Sequence, residues 1–198
     1  MAAWQCSRPI RRAVRGPSSV GRNLAAVTAI LSGLLFSVPG SAVAAGFPAD
    51  YAPMVIEPNV KDGKSEFDLT AAQSRARREK KRLYVYLGAS DCPYCRIYET
   101  FLRQNADELV PYFAREYLVV DLRSSLAVKA NALYFKVGSV SLNYKAFLER
   151  LGDERARLLV YPSVWLFDAD MKTLMQMPAG AGTFQTVPEQ LEILQLVQ

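Results

Sequence analysis

The stretch Arg82-Leu83-Tyr84-Val85-Tyr86-Leu87-Gly88-Ala89-Ser90-Asp91-Cys92-Pro93-Tyr94-Cys95-Arg96 decides how this 198-residue chain is read. Its first six residues are nearly all apolar, which predicts a buried strand covered on both faces. From Arg96 to about Ala114, Ile97, Phe101, Leu102, Leu109, Val110 and Phe113 recur mostly on one stripe. That spacing predicts an amphipathic helix, with Pro111 as a break or kink. Between strand and helix stand Cys92 and Cys95, close enough to form a disulfide with each other. A CxxC in that setting points to a dithiol–disulfide redox site.

The first 45 residues have the pattern of an export signal. Arg8, Arg11, Arg12, Arg15 and Arg22 form a basic start with no acidic residue. Leu24 to Val38 is a mostly apolar run, short for a membrane span, and Ser41-Ala42-Val43-Ala44-Ala45 offers small residues for cleavage. An uncleaved anchor would leave the rest of the chain outside the cytoplasm all the same. The expected location is periplasmic or otherwise exported. The chain carries 24 Lys+Arg and 19 Asp+Glu, and five of the arginines lie in this segment, which leaves 19 of each sign. The net charge of the remainder is therefore zero, and the basic balance gives no reason to expect a nucleic acid or anionic membrane as partner.

The remaining length of about 153 residues suits one domain with an adequate core. The third cysteine, Cys6, falls in the signal, so the CxxC supplies both cysteines of the exported part. A small exported domain held by structural disulfides would carry more. The chain has no histidine, which excludes Ser-His-Asp triads, His-based acid–base chemistry and the usual Cys/His metal sites.

Gly46 to about Lys64 is rich in Pro, Gly and Asp, without periodicity, and is expected to be a loosely structured lead-in, placed at 46–66. A helix is expected from Asp68, with that residue as N-cap. Tyr117–Leu122 predicts a second central strand and Leu133–Val137 a short one. Tyr144, Phe147, Leu148 and Leu151 predict a helix over Ser141–Leu151, with Gly152 at its C-terminal end. Ser163–Phe167 and Thr173–Met177 read as a hairpin around Asp168–Met171. Thr186-Val187-Pro188-Glu189 is a capping-box pattern opening a final helix.

The order of elements predicts an α/β domain with a mixed central sheet flanked by helices. Together with Cys92-Pro93-Tyr94-Cys95 after the central strand, Tyr161-Pro162-Ser163 before the late hairpin and Gly180 after it, this order resembles the thioredoxin-like superfamily. The resemblance covers about 67–198. It is nearest to bacterial exported thioredoxin-like proteins, including the thioredoxin found with sulfur-oxidation genes. It implies a cis Tyr161–Pro162 bond beside the CxxC, with the Tyr161 main chain open to an extended substrate; an ordinary trans proline opening the strand is the alternative. Three departures stand out. Tyr86 occupies the place six residues before the first cysteine where thioredoxins usually keep a buried acid. Tyr94 stands where strong oxidants carry histidine. And 70 positions separate Cys92 from Pro162, so 123–159, with the Ser141–Leu151 helix, is expected to be a helical insertion before the proline strand. That insertion either shapes a partner groove or adds packing.

The expected chemistry follows from a thiolate nucleophile. Cys92 at a helix start gains from backbone N–H groups and the helix dipole. It attacks a substrate disulfide, and Cys95, one turn inside and more buried, resolves the mixed disulfide. Pro93 suits the first helical turn. Tyr94 lines the substrate surface or is a loop aromatic without a role. The substrate-binding candidates are Pro93, Tyr94, Tyr161 and Pro162. No cofactor or metal is expected beyond the redox-active Cys92–Cys95 disulfide. The expected partners are exported protein thiols and disulfides and a thiol–disulfide electron partner, membrane-bound or soluble. The absent motif histidine favours a reductase. Cys-Pro-Tyr-Cys is also the glutaredoxin motif, but export separates this chain from the cytosolic glutathione system. Other readings of the two thiols are a binding module, a soft-metal site for Cu(I), or a sensing or structural disulfide.

Overall fold

The computed structural model describes residues 46–152, 158–177 and 186–196. The expected export signal of 1–45, Cys6 and Gly180 lie outside them. In chain order the strands are β1 (Met54–Ile56), β2 (Asn59–Lys61), β3 (Lys64–Asp68), β4 (Arg82–Ala89), β5 (Tyr117–Ser124), β6 (Leu133–Val137), β7 (Val140–Asn143), β8 (Ser163–Phe167) and β9 (Thr173–Gln176). The helices are α1 (Thr70–Glu79), α2 (Pro93–Gln104), α3 (Ala106–Glu116), α4 (Tyr144–Arg150) and α5 (Val187–Leu196).

Five strands form the main sheet in the order β1-β5-β4-β8-β9. β1, β5 and β4 run parallel, and β8 and β9 are antiparallel to their neighbours. β4 is the axis of the sheet: from Leu83 to Ala89 every residue is buried, as a strand covered on both faces requires. Leu83, Val85, Leu87 and Ala89 join one core cluster with α1 and the aromatic residues Phe135, Phe147, Trp165 and Phe167. Tyr84 and Tyr86 point the other way, into a second cluster with residues of α2, α3 and α5.

Four expectations about the elements are corrected. Gly46–Lys64 is built into the domain. Phe47 and Tyr51 are core residues, β1 forms the sheet edge against β5, and β2 turns through Asp62-Gly63 into β3. These strands carry little periodic apolar signal because β2 is wholly exposed and β1 is three residues long. The predicted long helix is two helices. The break falls at Asn105, whose side-chain amide donates to the Phe101 carbonyl (2.8 Å), while Pro111 sits inside α3 on its exposed side. Among its described residues, the expected helical insertion at 123–159 holds a β-hairpin followed by a helix. β6 and β7 complete a second sheet, β2-β3-β6-β7, and Ser141–Asn143 is strand, with Asn143 capping α4 by accepting from the Ala146 N–H (2.9 Å).

The insertion packs on the main sheet through rings. Phe135 and Phe147 lie 4.4 Å apart by centroid, and Phe147 meets Trp165 edge-on at 5.8 Å. A cavity of about 200 Å³ remains between this hairpin, α4 and the β8–β9 turn, away from the CxxC. The N-cap of α1 is Leu69 and not the expected Asp68, which ends β3 one residue earlier and accepts from the Thr70 N–H with its carboxylate (2.9 Å). The capping box at α5 is reciprocal: Glu189 N–H donates to Thr186 Oγ1 and Thr186 N–H to Glu189 Oε2.

Candidate redox-active site

The end of β4 hands the chain to α2 through Ser90 and Asp91. Ser90 N–H donates to the Ser124 carbonyl (2.9 Å), and the Asp91 carboxylate accepts from the Leu126 N–H (2.8 Å). These bonds tie the motif to the end of β5. Cys92 is the N-cap of α2 in extended conformation, Pro93 is the first helical residue, and Cys92 Sγ accepts from the Cys95 N–H (3.1 Å). The sulfur thus occupies the place of a capping oxygen, at the N-terminal end of α2. Both cysteines are free thiols. Cys95 is fully buried, Cys92 is 2% exposed, and burial pushes the Cys95 thiol well above the usual thiol range.

The Tyr161–Pro162 peptide is cis and precedes β8, the strand paired with β4. Tyr161 belongs to the same core cluster as both cysteines, and its hydroxyl donates to Ser124 Oγ (2.9 Å). Among the described residues no hydrogen bond engages the Tyr161 main chain. Five of the six site candidates, Cys92, Pro93, Cys95, Tyr161 and Pro162, are therefore gathered at one end of β4. Tyr94 is on the rim, 57% exposed.

The fold is thioredoxin-like. The strand order, the CxxC between β4 and α2, and the cis proline before β8 carry that statement. No protein-family model and no curated protein sequence matches the chain. Among solved structures it is similar to a thioredoxin-fold protein from Helicobacter pylori (16% identity, 76% of this chain and 73% of that one, TM-score 0.39). It is also similar to an exposed lipoprotein thioredoxin from Streptococcus pneumoniae (19%, 71% and 97%, TM-score 0.36) and to Trichomonas vaginalis thioredoxin (14%, 69% and 99%, TM-score 0.35). Likenesses at these scores add nothing to the thioredoxin-like strand order itself.

Behind Cys95 lies a buried polar group. Glu99, one turn further along α2, is 2% exposed. The Tyr86 hydroxyl donates to Glu99 Oε1 (3.0 Å), and Arg96 bridges Glu99 Oε2 and the Ser90 carbonyl. The Tyr86 hydroxyl opposes, as a minor influence, the burial that raises the Cys95 thiol. The ring reaches this position by folding over Gly88, where a Cβ would come 2.6 Å from the ring. Burial raises the Glu99 carboxyl, opposed by Arg96, Tyr86 and the Gly46 N–H. The expectation of no carboxylate in the place held by Tyr86 is right for that position, yet α2 brings one in from the other side.

Asp121 pairs with Tyr86 across β4 and β5 and is fully buried in the midst of an apolar strand. Its Oδ2 accepts from the Phe47 N–H (3.1 Å) and Arg123 Nε (3.0 Å), while Oδ1 has no partner. Gly46 fits here with φ +123°, its position a Cβ would place 2.7 Å from Asp121 Oδ2.

Sequence reasoning passed over two residues of this site and misplaced a third. Glu99 is four residues after Cys95, on the same helix face. Asp121 is a charge inside an apolar run, a pattern that marks a buried polar role. Ile97 was expected on the buried stripe. The buried positions of α2 are Cys95, Tyr98, Glu99 and Leu102, and Ile97, about 200° around the helix from Cys95, is 56% exposed beside Tyr94. Among the described residues, no group of three or more His, Cys, Asp or Glu side chains could hold a metal ion.

Proposed function

We propose that this protein is a thiol–disulfide oxidoreductase of exported proteins, working in the reducing direction in the periplasm or an equivalent compartment. The observation that carries this reading is the Cys92 sulfur capping α2, with the Cys95 thiol directly behind it. In the first step the Cys92 thiolate attacks one sulfur of a substrate disulfide. A Cys92–substrate disulfide forms and the other substrate sulfur leaves as a thiolate. In the second step Cys95, deprotonated, attacks Cys92 Sγ. The Cys92–Cys95 disulfide forms, and the first substrate sulfur leaves as a thiolate. Two electrons pass from the dithiol to the substrate, and an electron partner of thiol–disulfide type returns them.

The exposed apolar residues Tyr94, Ile97 and Leu126 fit an extended, partly apolar polypeptide, and the unengaged main chain of Tyr161 fits its backbone by strand addition. Pro93 and Pro162 hold the two sides of that approach. Insulin reduction tests the reading: the wild-type chain precipitates the insulin B chain with a dithiol donor, and Cys92→Ser does not. Equal rates for the two proteins overturn it. Titration against a glutathione buffer tests the direction. Dithiol sites of this kind span roughly −120 to −270 mV, and a value at the oxidising end overturns the reducing assignment.

A further inference from the structure

Gly46 directly follows the small residues of Ser41–Ala45, and it stands beside two buried acids. Glu99 is 2% exposed and Asp121 0%, and Asp121 Oδ1 has no partner among the described residues. We propose that the leader is removed between Ala45 and Gly46, and that the new Gly46 α-ammonium is a buried anchor, ion-paired with Asp121 and Glu99. The inference rests on the export part of the reading above. The cut is a hydrolysis by the leader peptidase of the exporting cell. The oxygen of one water joins the Ala45 carboxylate. Both protons of that water go to the Gly46 nitrogen, which leaves as an ammonium.

A Cβ on Gly46 would stand 2.7 Å from Asp121 Oδ2. The Gly46 nitrogen is two bonds from that point, so it lies within about 5 Å of the carboxylate. At that range an opposite charge favours the ionised amine. The next N–H, that of Phe47, donates to the same Oδ2 (3.1 Å) and holds the chain in place. Gly46, Glu99 and Asp121 line one cavity of about 10 Å³. The anchor thereby fastens the segment that carries Phe47 and Tyr51 into the second core cluster.

An amide at position 46 has one N–H to offer. An ammonium has three, enough to serve both acids and to give Asp121 Oδ1 the donor it lacks. A cut after Ala44 would leave an amide in this place. Burial raises both carboxyls, and a cation beside them offsets part of that cost. The charged groups facing the nitrogen are Glu99 from α2 and Asp121 and Arg123 from β5; Arg96 and Tyr86 act on it through Glu99. The two arginine side chains are partly exposed while both acids are buried, so water screens the repulsion more than the attraction.

The test uses the full chain, leader included, expressed in a bacterial host. N-terminal sequencing and intact mass give the first residue of the processed protein, and Gly46 is the expected one. Its α-amine is then labelled with trace acetic anhydride across pH, and the N-terminal peptide is read by mass spectrometry. At pH 7 the native amine should react at least about tenfold more slowly than in urea, with a midpoint at least about one unit above the ordinary range of about 7.7–8.0. Asp121→Asn and Glu99→Gln should each speed the labelling and lower the midpoint; if neither variant folds, the wild-type midpoint alone decides. A processed chain that starts at any other residue overturns the proposal. So does a Gly46 amine with an ordinary midpoint, which leaves the cavity to a water. Slow labelling that neither variant changes also overturns it, because burial without an ion pair then explains the rate. A chain that stays in the cytoplasm with its leader intact is a different failure and removes the export reading itself.

Discussion

Side chains of the same strand meet two different environments on the two faces of the main sheet. On one face Leu83, Val85 and Leu87 lie against Phe135, Trp165 and Phe167, in a core made almost wholly of apolar atoms. On the other face the core is rich in tyrosine, and every hydroxyl has a partner. Tyr84 pairs with Tyr98, Tyr98 donates to Gln190 (2.8 Å), and Tyr51 donates to the Leu102 carbonyl (2.8 Å). Tyr112 and Tyr117 both donate to the Leu194 carbonyl. Both faces are buried, yet one is held chiefly by shape, with Tyr144 and Tyr161 as its hydrogen-bonded members, and the other by shape plus a larger specified set of hydrogen bonds. The buried acids Glu99 and Asp121 sit on the tyrosine side, where, among the described residues, all buried polar side-chain atoms but Asp121 Oδ1 and Gln190 Nε2 find partners, and both cysteines belong to the apolar cluster.

The comparison can be broken most strongly on the apolar side. Trp165→Ala leaves a void among Phe135, Phe147 and Phe167 and is expected to cost about 3–5 kcal/mol, read from urea unfolding. A loss below about 1 kcal/mol would mean that this face does not dominate stability. On the tyrosine side, Tyr98→Phe keeps the ring and removes the hydroxyl shared by Tyr84 and Gln190. The expected cost is about 1–3 kcal/mol, because buried partners are stranded. The same substitution at a solvent-facing tyrosine should be close to neutral.

A third prediction concerns pH. The raised pKa values of Glu99 and Asp121 mean that the folded state holds these protons more tightly than the unfolded state. Their contribution to stability is therefore greatest below the unfolded carboxyl pKa and is lost as pH rises through the raised folded values. Exposed Asp68 and half-buried Glu79 and Glu116 have lowered pKa values and act in the opposite sense. The difference between wild type and Asp121→Asn isolates the buried part. The variant should lose less stability than wild type between pH 4 and pH 7, and parallel curves would contradict the assignment. The smallest effect is expected on the insertion surface. Lys145→Ala breaks an exposed i,i+4 pair with Glu149 on α4 and should cost about 0.3–0.5 kcal/mol.

Much of this arrangement is legible in the amino-acid order because it is local. Arg82–Leu87 reads as a central strand since both of its faces are buried, and the CxxC, the β8–β9 hairpin and the α5 capping box each sit within a few residues. What is not legible depends on distant partners. β1 is defined by its pairing of Met54–Ile56 with Val120–Leu122, and β3 by its pairing with β6, which no local periodicity announces. Ser141–Asn143 carries the start of a helical pattern, but Asn143 is a better cap than helix residue, and the ladder with β6 takes the preceding residues. The site divides in the same way. Cys92, Cys95 and Pro162 stand out as residue types in a spacing. Glu99 and Asp121 acquire meaning only when α2 and β5 bring them to Tyr86.

The central claim is that Cys92 attacks and Cys95 resolves. Trapping tests it most directly. The Cys95→Ala chain, mixed with a disulfide-bearing protein such as insulin, should accumulate a stable intermolecular disulfide that mass spectrometry maps to Cys92, whereas the wild-type chain should not. An adduct absent from Cys95→Ala, or one that forms equally well on Cys95 in a Cys92→Ala chain, would contradict the account.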